Sequence, residues 1–200
     1  HSWRTTGDLG LEKDTRLPGF YSVAFKNMVL GEYAGPGKWN DPDYILIGTV
    51  GDAFKTDAPP RKTPLTADEQ YSYMSLWSLM ASPLFFSGDM KYLDEFTLNV
   101  LCNREVIAVN QDVLGKQARV IRKTDDELVL MKPLAGGAVA VGLFNLSEQE
   151  RTVRASWTEL GLSGAWKNRD PWRYRDRGQA NGSVSEKLRR HSVEMVILSR

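Results

Sequence analysis

The chain has 200 residues, of which 42% are hydrophobic and 26% charged, as is usual for a globular protein. A formal net charge of +1 without a dense Lys/Arg block argues against a nucleic-acid partner, and no apolar run reaches membrane-spanning length. One cysteine, Cys102, excludes an internal disulfide, and its position beside an apolar run predicts a buried thiol. Together with the count of two histidines, this composition favours neither a metal site nor a metal cofactor.

The first part of the chain predicts a helix, a loop and a strand. Apolar side chains recur at helical spacing after Pro18, so we expect an amphipathic helix from there to about Leu30. The stretch 35–43, Gly-Pro-Gly-Lys-Trp-Asn-Asp-Pro-Asp, is a loop rich in turn-forming residues. The apolar run 44–47 that follows predicts a fully buried strand of the parallel type. Residues 49–64 form a long loop, which we expect at the rim of an active site.

A capping box predicts the start of the next helix, because Glu69 follows Thr66 by three residues. The helix carries one apolar stripe, which we expect to face the core: Tyr73, Leu76, Trp77 and Met80. Pro83 ends it. We expect a further short buried strand at 84–86, followed by two short helices at 92–102 and 104–111.

The two halves of the sequence predict different fold classes. Residues 1–112 alternate helices with short apolar strands, which indicates an α/β layer with a parallel sheet. Short β-rich runs separated by turns then predict an antiparallel sandwich of about seven strands. We place the boundary near Gly115, which gives domains at 1–114 and 115–200. His191, beside the last strand, is expected to be a hydrogen-bonded structural residue and not a catalyst.

Four stretches bring polar residues and turn formers next to apolar runs, at 2–8, 35–48, 77–84 and 105–112. Polar groups against a buried strand are costly unless they are paired or functional. In the first stretch, Ser-Trp-Arg-Thr-Thr-Gly-Asp, the residues alone leave three interpretations of Arg4 and Asp8. They fit a catalytic site, an exposed ion pair, or a helix cap at Asp8.

Taken in this order, the four stretches resemble glycoside hydrolase family 27, the retaining α-galactosidases and α-N-acetylgalactosaminidases. The resemblance implies a (β/α)8 barrel followed by an antiparallel β-sandwich. By position, it implies that Asp8 is the acid/base, that Arg4 contacts the sugar and that Asp43 lines the sugar pocket. Tyr44 stands where the family usually has methionine, so it bears on which sugar is bound. Retaining hydrolysis uses two carboxyl groups about 5–5.5 Å apart and requires no cofactor.

The family's nucleophile is an aspartate in a Lys-x-Asp type motif on an earlier barrel strand, and only seven residues precede Asp8. The resemblance therefore implies that the chain holds the C-terminal part of the barrel plus the sandwich. The N-terminal part of the barrel is then the partner that completes the site, and an α-galactoside is the substrate. The resemblance also implies a secreted or periplasmic location, and it leaves the oligomeric state open.

Hydrolytic release of terminal α-D-galactosyl residues is the function that the resemblance favours. Two related activities, α-N-acetylgalactosaminidase and β-L-arabinopyranosidase, stay open because they keep the same acid/base and differ in the residues around the sugar. A non-catalytic carbohydrate-binding protein, which would hold sugars through its aromatic side chains, is the alternative from another class.

Part of an eight-stranded barrel would expose an apolar sheet edge, which favours aggregation. We therefore expect the isolated 200-residue chain to show no cooperative thermal transition and no hydrolysis of para-nitrophenyl α-D-galactoside. Addition of the N-terminal part of the barrel is expected to restore both. Circular dichroism during heating and nitrophenol release measure the two properties. A cooperative melt together with activity in the isolated chain would refute this expectation.

Overall fold

The fold consists of an α/β part followed by a β-sandwich, in a computed structural model that describes residues 1–13, 16–51 and 59–200. The α/β part contains β1 (Ser2–Arg4), α1 (Phe20–Met28), β2 (Trp39–Asp41), β3 (Thr49–Val50), β4 (Arg61–Lys62), α2 (Ala67–Leu79), α3 (Glu95–Leu101) and α4 (Arg104–Asn110). The sandwich contains β5 (Arg119–Lys123), β6 (Glu127–Pro133), β7 (Val139–Asn145), β8 (Arg151–Ser156), α5 (Trp157–Leu160), β9 (Ala165–Asp170), β10 (Arg175–Asn181), β11 (Ser183–Leu188) and β12 (Val193–Ser199). Among the described helices, none is both long and apolar enough to cross a membrane.

The α/β part is built on short parallel pairings. β1 and β2 run parallel to each other. A second parallel contact joins Ile45 to Phe86, where the Ile45 amide donates to the Phe85 carbonyl at 2.7 Å and the Ser87 amide donates to the Ile45 carbonyl at 3.1 Å. β3 and β4 pair antiparallel at the two ends of the 49–64 loop, of which residues 52–58 lie outside the described ranges. The predicted α/β layer with parallel pairing is confirmed.

The predicted strand at 44–47 was placed too far along the chain. Regular pairing occurs at β2, inside the predicted loop, and within 44–47 only Ile45 takes part in a ladder. Pro42 has no backbone N–H to donate, and Asp43 has a φ of 99°, so an extended strand cannot run through both. As a result Ile45 is buried while Tyr44 is 48% exposed.

The helix α2 is buried around its whole circumference. Its capping box is formed as predicted, with the Thr66 hydroxyl accepting from the Glu69 amide at 3.2 Å and the Glu69 carboxylate accepting from the Thr66 amide at 2.8 Å. The predicted apolar stripe is buried, and so is a row of small residues on another side of the helix: Ser72, Ser75 and Ser78. These serines allow a second layer to approach closely, which an apolar stripe alone does not predict.

The sandwich has unequal sheets. A six-stranded antiparallel sheet has the order β10-β9-β12-β7-β6-β5, and a two-stranded sheet pairs β11 with β8. The predicted antiparallel sandwich is therefore confirmed. The large sheet lies between α2 on one face and the small sheet on the other, since Leu130 and Met195 belong to the same core as α2, whereas Val129 and Val196 pack with Val153 of β8. The central strands β6 and β7 are buried on both faces, which explains why they are nearly continuous apolar runs.

Cys102 is exposed, so the prediction of a buried thiol is wrong. The helix α3 ends at Leu101, and Cys102 caps it with a φ of −107°, outside the helical range. The apolar run beside Cys102 buries Val100, while the chain turns toward α4 at Cys102 itself and leaves its side chain in solvent.

His191 has the structural role that was predicted. Its side chain is fully buried, with Nδ1 2.8 Å from Glu69 Oε1 and Nε2 3.3 Å from Glu148 Oε1. Lys13 lies 3.7 Å from the same Glu69 oxygen. Burial opposes ionisation of Glu69, but the hydrogen bonds from His191 and the Thr66 amide, with the charge of Lys13, outweigh it. They lower the pKa of Glu69 from 4.5 to about 2.

The lowered pKa predicts how stability varies with pH. A carboxyl whose pKa is lower in the folded state stabilises the fold above its unfolded pKa of 4.5, and it loses that contribution as pH falls toward 2. Glu69→Gln keeps the capping geometry and removes the charge, so we expect it to lower the free energy of unfolding at pH 7 by roughly 3 kcal/mol. The difference from the parent should shrink steadily between pH 4.5 and pH 2.

Thermal denaturation of the full-length protein, which includes the N-terminal part of the barrel, measures the effect across this pH range. Glu95→Gln, in the first turn of α3 and exposed, is the matched control and should leave the transition unchanged. An effect of Glu69→Gln that is the same at pH 7 and pH 3 would contradict the assignment of the stabilisation to the Glu69 charge.

Candidate active site

A tight turn follows β1 and carries Asp8 into solvent. The turn is fixed at its start, because the Thr5 amide donates to the Asp41 carbonyl at 3.0 Å and continues the parallel pairing. The Thr5 hydroxyl also donates to Asn27 Oδ1 of α1 at 2.7 Å. Arg4, the last residue of β1, folds back over the turn and donates to the Gly7 carbonyl at 3.2 Å. The Asp8 side chain is left 98% exposed.

Asp43 is the buried counterpart of Asp8. Its Oδ2 lies 2.9 Å from Arg4 Nη2 and accepts from the Leu9 amide at 2.8 Å, while Oδ1 accepts from the Tyr44 amide at 2.9 Å. Only 4% of the residue is exposed, so the carboxylate is engaged mainly by the protein itself. A φ of 99° is unfavourable for an aspartate, and these contacts hold the residue there.

One guanidinium therefore joins two carboxylates of different exposure. Arg4 Nη2 lies 2.9 Å from Asp43 and 3.4 Å from Asp8 Oδ1. The Nε and Nη1 groups of Arg4 have no hydrogen-bond partner among the residues that the structure describes, and Arg4 is partly exposed. These N–H groups are available to a ligand hydroxyl.

The backbone beneath Asp43 is anchored by α2. Trp77 Nε1 donates to the Asp43 carbonyl at 2.9 Å, and the Tyr73 hydroxyl donates to the Tyr44 carbonyl at 2.5 Å. Both donors are buried. The backbone is thus held on both sides of Tyr44, while the Tyr44 side chain projects toward solvent.

These residues line one cavity of about 710 Å³, which contains all four of the predicted site residues: Arg4, Asp8, Asp43 and Tyr44. The turn after the Phe86 contact, 87–89, adds to the wall. Gly51 and Arg61, from the 49–64 loop, also line it, which supports the prediction that this loop forms part of the rim. Glu12 also lines the cavity, and neither Glu12 nor Arg61 was predicted as an individual site residue, because neither lies in a recognisable motif.

The cavity offers acid/base chemistry more readily than metal chemistry. Four carboxylates border it, from Asp8, Glu12, Asp43 and Asp89. In the part of the chain that the structure describes, no group of three His, Cys, Asp or Glu side chains is arranged to hold a metal ion. The exposed Asp8 carboxyl can reach a ligand bound in the cavity, and contact of this kind is what proton transfer requires.

Two families of known proteins match the chain, one for each part of the fold. The family described as "Alpha galactosidase A" matches residues 1–112, and the one described as "Alpha galactosidase C-terminal beta sandwich domain" matches residues 124–198.

Curated relatives and solved structures also match the chain. An α-galactosidase of Cyamopsis tetragonoloba is 35% identical over 201 residues, which cover 100% of this chain and 45% of the relative. Human α-galactosidase A is 38% identical over 126 residues, covering 63% of this chain and 26% of the relative. The crystal structure of a β-L-arabinopyranosidase from Geobacillus stearothermophilus gives a TM-score of 0.88 at 31% identity, over 100% of this chain and 45% of that one. The chain thus spans less than half the length of these relatives.

An α/β part with short parallel pairings, followed by an antiparallel sandwich, is also the architecture that the similar solved structure shares over the whole of this chain. The two family matches follow each other along the chain in the order that this architecture requires. The chain belongs to glycoside hydrolase family 27. The predicted family and fold class, the C-terminal part of a (β/α)8 barrel followed by a β-sandwich, are confirmed.

The contacts of Asp43 predict that it fixes the Asp8 turn. Asp43→Asn replaces one acceptor oxygen by a donor that faces Arg4 or a backbone N–H, so we expect a loss of about 2 kcal/mol in the free energy of unfolding. Hydrogen exchange at the Leu9 amide should accelerate, because its acceptor is Asp43 Oδ2.

Asp8→Asn is the matched control, since Asp8 is almost fully exposed and should leave both stability and Leu9 exchange unchanged. Denaturant melts and amide exchange followed by NMR measure the two quantities in the full-length protein. Equal effects of the two substitutions would contradict a positioning role for Asp43.

Proposed function

We propose that this chain forms part of a retaining exo-glycosidase that hydrolyses terminal α-D-galactosyl residues. The observation that carries the proposal is the Asp8 carboxyl, which stands free in a 710 Å³ cavity on a turn fixed by Arg4 and Asp43. The similar proteins also support the proposal, since those of Cyamopsis tetragonoloba and human are α-galactosidases.

Asp8 serves as the acid and then the base in this proposal. It protonates the leaving oxygen while positive charge develops at the anomeric carbon, and it later takes a proton from the water that attacks the glycosyl-enzyme. The exposure of its side chain leaves it able to reach both the leaving group and water. Arg4 directs its remaining N–H groups toward sugar hydroxyls and, by holding Asp43, keeps the turn in place.

The second carboxylate of the retaining mechanism is proposed to come from outside the 200 residues. The Cyamopsis tetragonoloba relative is more than twice as long as the chain, and only seven residues precede Asp8, whereas the family's Lys-x-Asp type motif lies on an earlier strand. Binding of an α-galactoside in the cavity is then completed by the N-terminal part of the barrel.

β-L-Arabinopyranosidase activity is a second candidate, and Tyr44 favours it. L-Arabinopyranose lacks the hydroxymethyl group of D-galactose and needs less room. Tyr44 lines the cavity and is 48% exposed, so a large side chain occupies space beside the sugar site. The similar Geobacillus stearothermophilus structure is a β-L-arabinopyranosidase. A Tyr44→Met variant with a higher ratio of α-galactosidase to β-L-arabinopyranosidase activity would show that this side chain sets the preference.

The acid/base role of Asp8 predicts a specific pattern of activity. In the full-length protein, Asp8→Asn should lower kcat on methyl α-D-galactoside by about 10²–10⁴-fold, because proton transfer to the leaving oxygen is lost. On an activated dinitrophenyl α-D-galactoside, whose leaving group needs no proton, glycosyl-enzyme formation should be largely restored and an initial burst of dinitrophenol should appear.

Asp89→Asn changes a carboxylate on another wall of the same cavity and is the control for a general loss of charge. It should change kcat much less than Asp8→Asn does. Equal losses on both substrates in Asp8→Asn would point to a structural role, and an unchanged kcat would remove Asp8 from the mechanism.

A further inference from the structure

A second, smaller pocket lies away from the proposed active site, where the α/β part meets the sandwich. It has a volume of about 210 Å³, which is enough for one sugar ring but not for a peptide helix. Its walls come from α2, from α3 and the turn after it, and from the segment between β9 and β10. Neither Asp8 nor any other residue that lines the active-site cavity belongs to it.

Three aromatic side chains line this pocket. The rings of Tyr71 and Trp172 meet at 81° with centroids 4.8 Å apart, so they form two walls at nearly a right angle. Tyr174 supplies a third ring and is 50% exposed. Aromatic rings of this kind offer an apolar face and a polar edge, which is the pairing that the C–H face and hydroxyl rim of a pyranose require.

Tyr174 has a strained backbone, and a hydrogen bond of its hydroxyl group helps to keep the side chain in its exposed position. Its φ is 51°, in the left-handed region that an aromatic residue rarely adopts. The Tyr174 hydroxyl oxygen accepts from the Arg104 amide at 3.1 Å. An exposed ring kept on a strained backbone points to a function for the ring, since such strain clusters at ligand-binding and catalytic sites.

The remaining walls are equally fixed. Asn103 Nδ2 donates to the carbonyls of Pro171 and Trp172 at 3.1 and 3.2 Å, which ties the sandwich segment to the turn between α3 and α4. Trp172 Nε1 donates to the Ser75 hydroxyl at 3.0 Å. A pocket whose walls are held this way loses little conformational entropy when a ligand enters.

Unused hydrogen-bonding groups surround the rings, and none of the lining residues is charged. The Tyr71 hydroxyl and the Asn99 amide have no hydrogen-bond partner in the described ranges, and the Tyr174 hydroxyl, which accepts from the Arg104 amide, donates to none of the described residues. Among the described lining residues there is no Asp, Glu, Lys or Arg. The pocket therefore suits a neutral ligand with several hydroxyl groups and excludes phosphates and cations as strong ligands.

We propose that this pocket binds one neutral hexopyranose ring, as a sugar-binding site separate from the active site. The aromatic walls contact the apolar face of the ring, and Tyr71, Asn99 and Tyr174 exchange hydrogen bonds with its hydroxyls. A glycan held in the proposed active site would then have a second point of contact with the protein at this pocket. Its existence does not depend on the reaction proposed for Asp8, because none of its groups takes part in that reaction.

Cys102 provides a direct probe, because it is exposed and its side chain lines the pocket. In the full-length protein, the rate at which N-ethylmaleimide alkylates Cys102 is followed by mass spectrometry of the peptide that contains it. Methyl β-D-galactopyranoside and methyl α-D-mannopyranoside are added at concentrations well above the ~1 mM dissociation constant expected for a ligand of this size. Glycerol at the same hydroxyl concentration is the solvent control.

We expect at least one of the two glycosides to slow alkylation several-fold at saturation, whereas glycerol does not. Tyr174→Ala should weaken this protection about tenfold, because the stacking contact is lost. Tyr92→Ala, at a tyrosine of similar exposure elsewhere, should leave it unchanged. Asn99→Ala removes only the exposed amide and tests the site without altering the strained segment.

Alkylation rates that neither glycoside changes would overturn the proposal. So would protection that survives both Tyr174→Ala and Asn99→Ala, because the sugar would then act from another site. Asp8→Asn should retain full protection, which separates a failure of this site from a failure of the active-site proposal.

Discussion

The structure depends on the burial of α2 on all of its sides. Trp77 and Tyr73, on one side, hold the backbone carbonyls of Asp43 and Tyr44 and so support the floor of the cavity. On the other side, small serines let the sandwich approach, with the Ser72 hydroxyl donating to the His191 carbonyl at 2.7 Å. A helix that was apolar on one face only could support the cavity or seat the sandwich, but not both.

Two aspartates beside one arginine show how burial separates chemical roles. Asp43 is buried and its oxygens are occupied by protein donors, so it positions the chain. Asp8 is exposed, and within the described ranges its carboxylate has a single hydrogen-bond partner, Arg4 at 3.4 Å, so it stays available for reaction. Because the same guanidinium contacts both, a change at the buried carboxylate is transmitted to the exposed one.

The sequence predicted those features that repeat with a regular period or have a fixed spacing. The α2 capping box, the antiparallel strands and the grouping of Arg4, Asp8, Asp43 and Tyr44 in one cavity all agree with it. The start of the strand near Asp43 was wrong, because Pro42 and a positive φ override the preference of the apolar run that follows. Long-range contacts, such as that of the Leu9 amide with Asp43, depend on how distant segments pack and leave no local pattern.

The central strands of the large sheet are buried on both faces, and the face toward α2 belongs to the core of the α/β part. Gly142 of β7 lies where an added Cβ would come within 2.5 Å of the Leu79 side chain, so helix and sheet are matched residue by residue. The boundary near Gly115 that the sequence suggests therefore divides a single packed core. In recombination between homologues, the sandwich is therefore not a module that can be exchanged by itself, because the exchange would separate its large sheet from the α2 side chains that share its core.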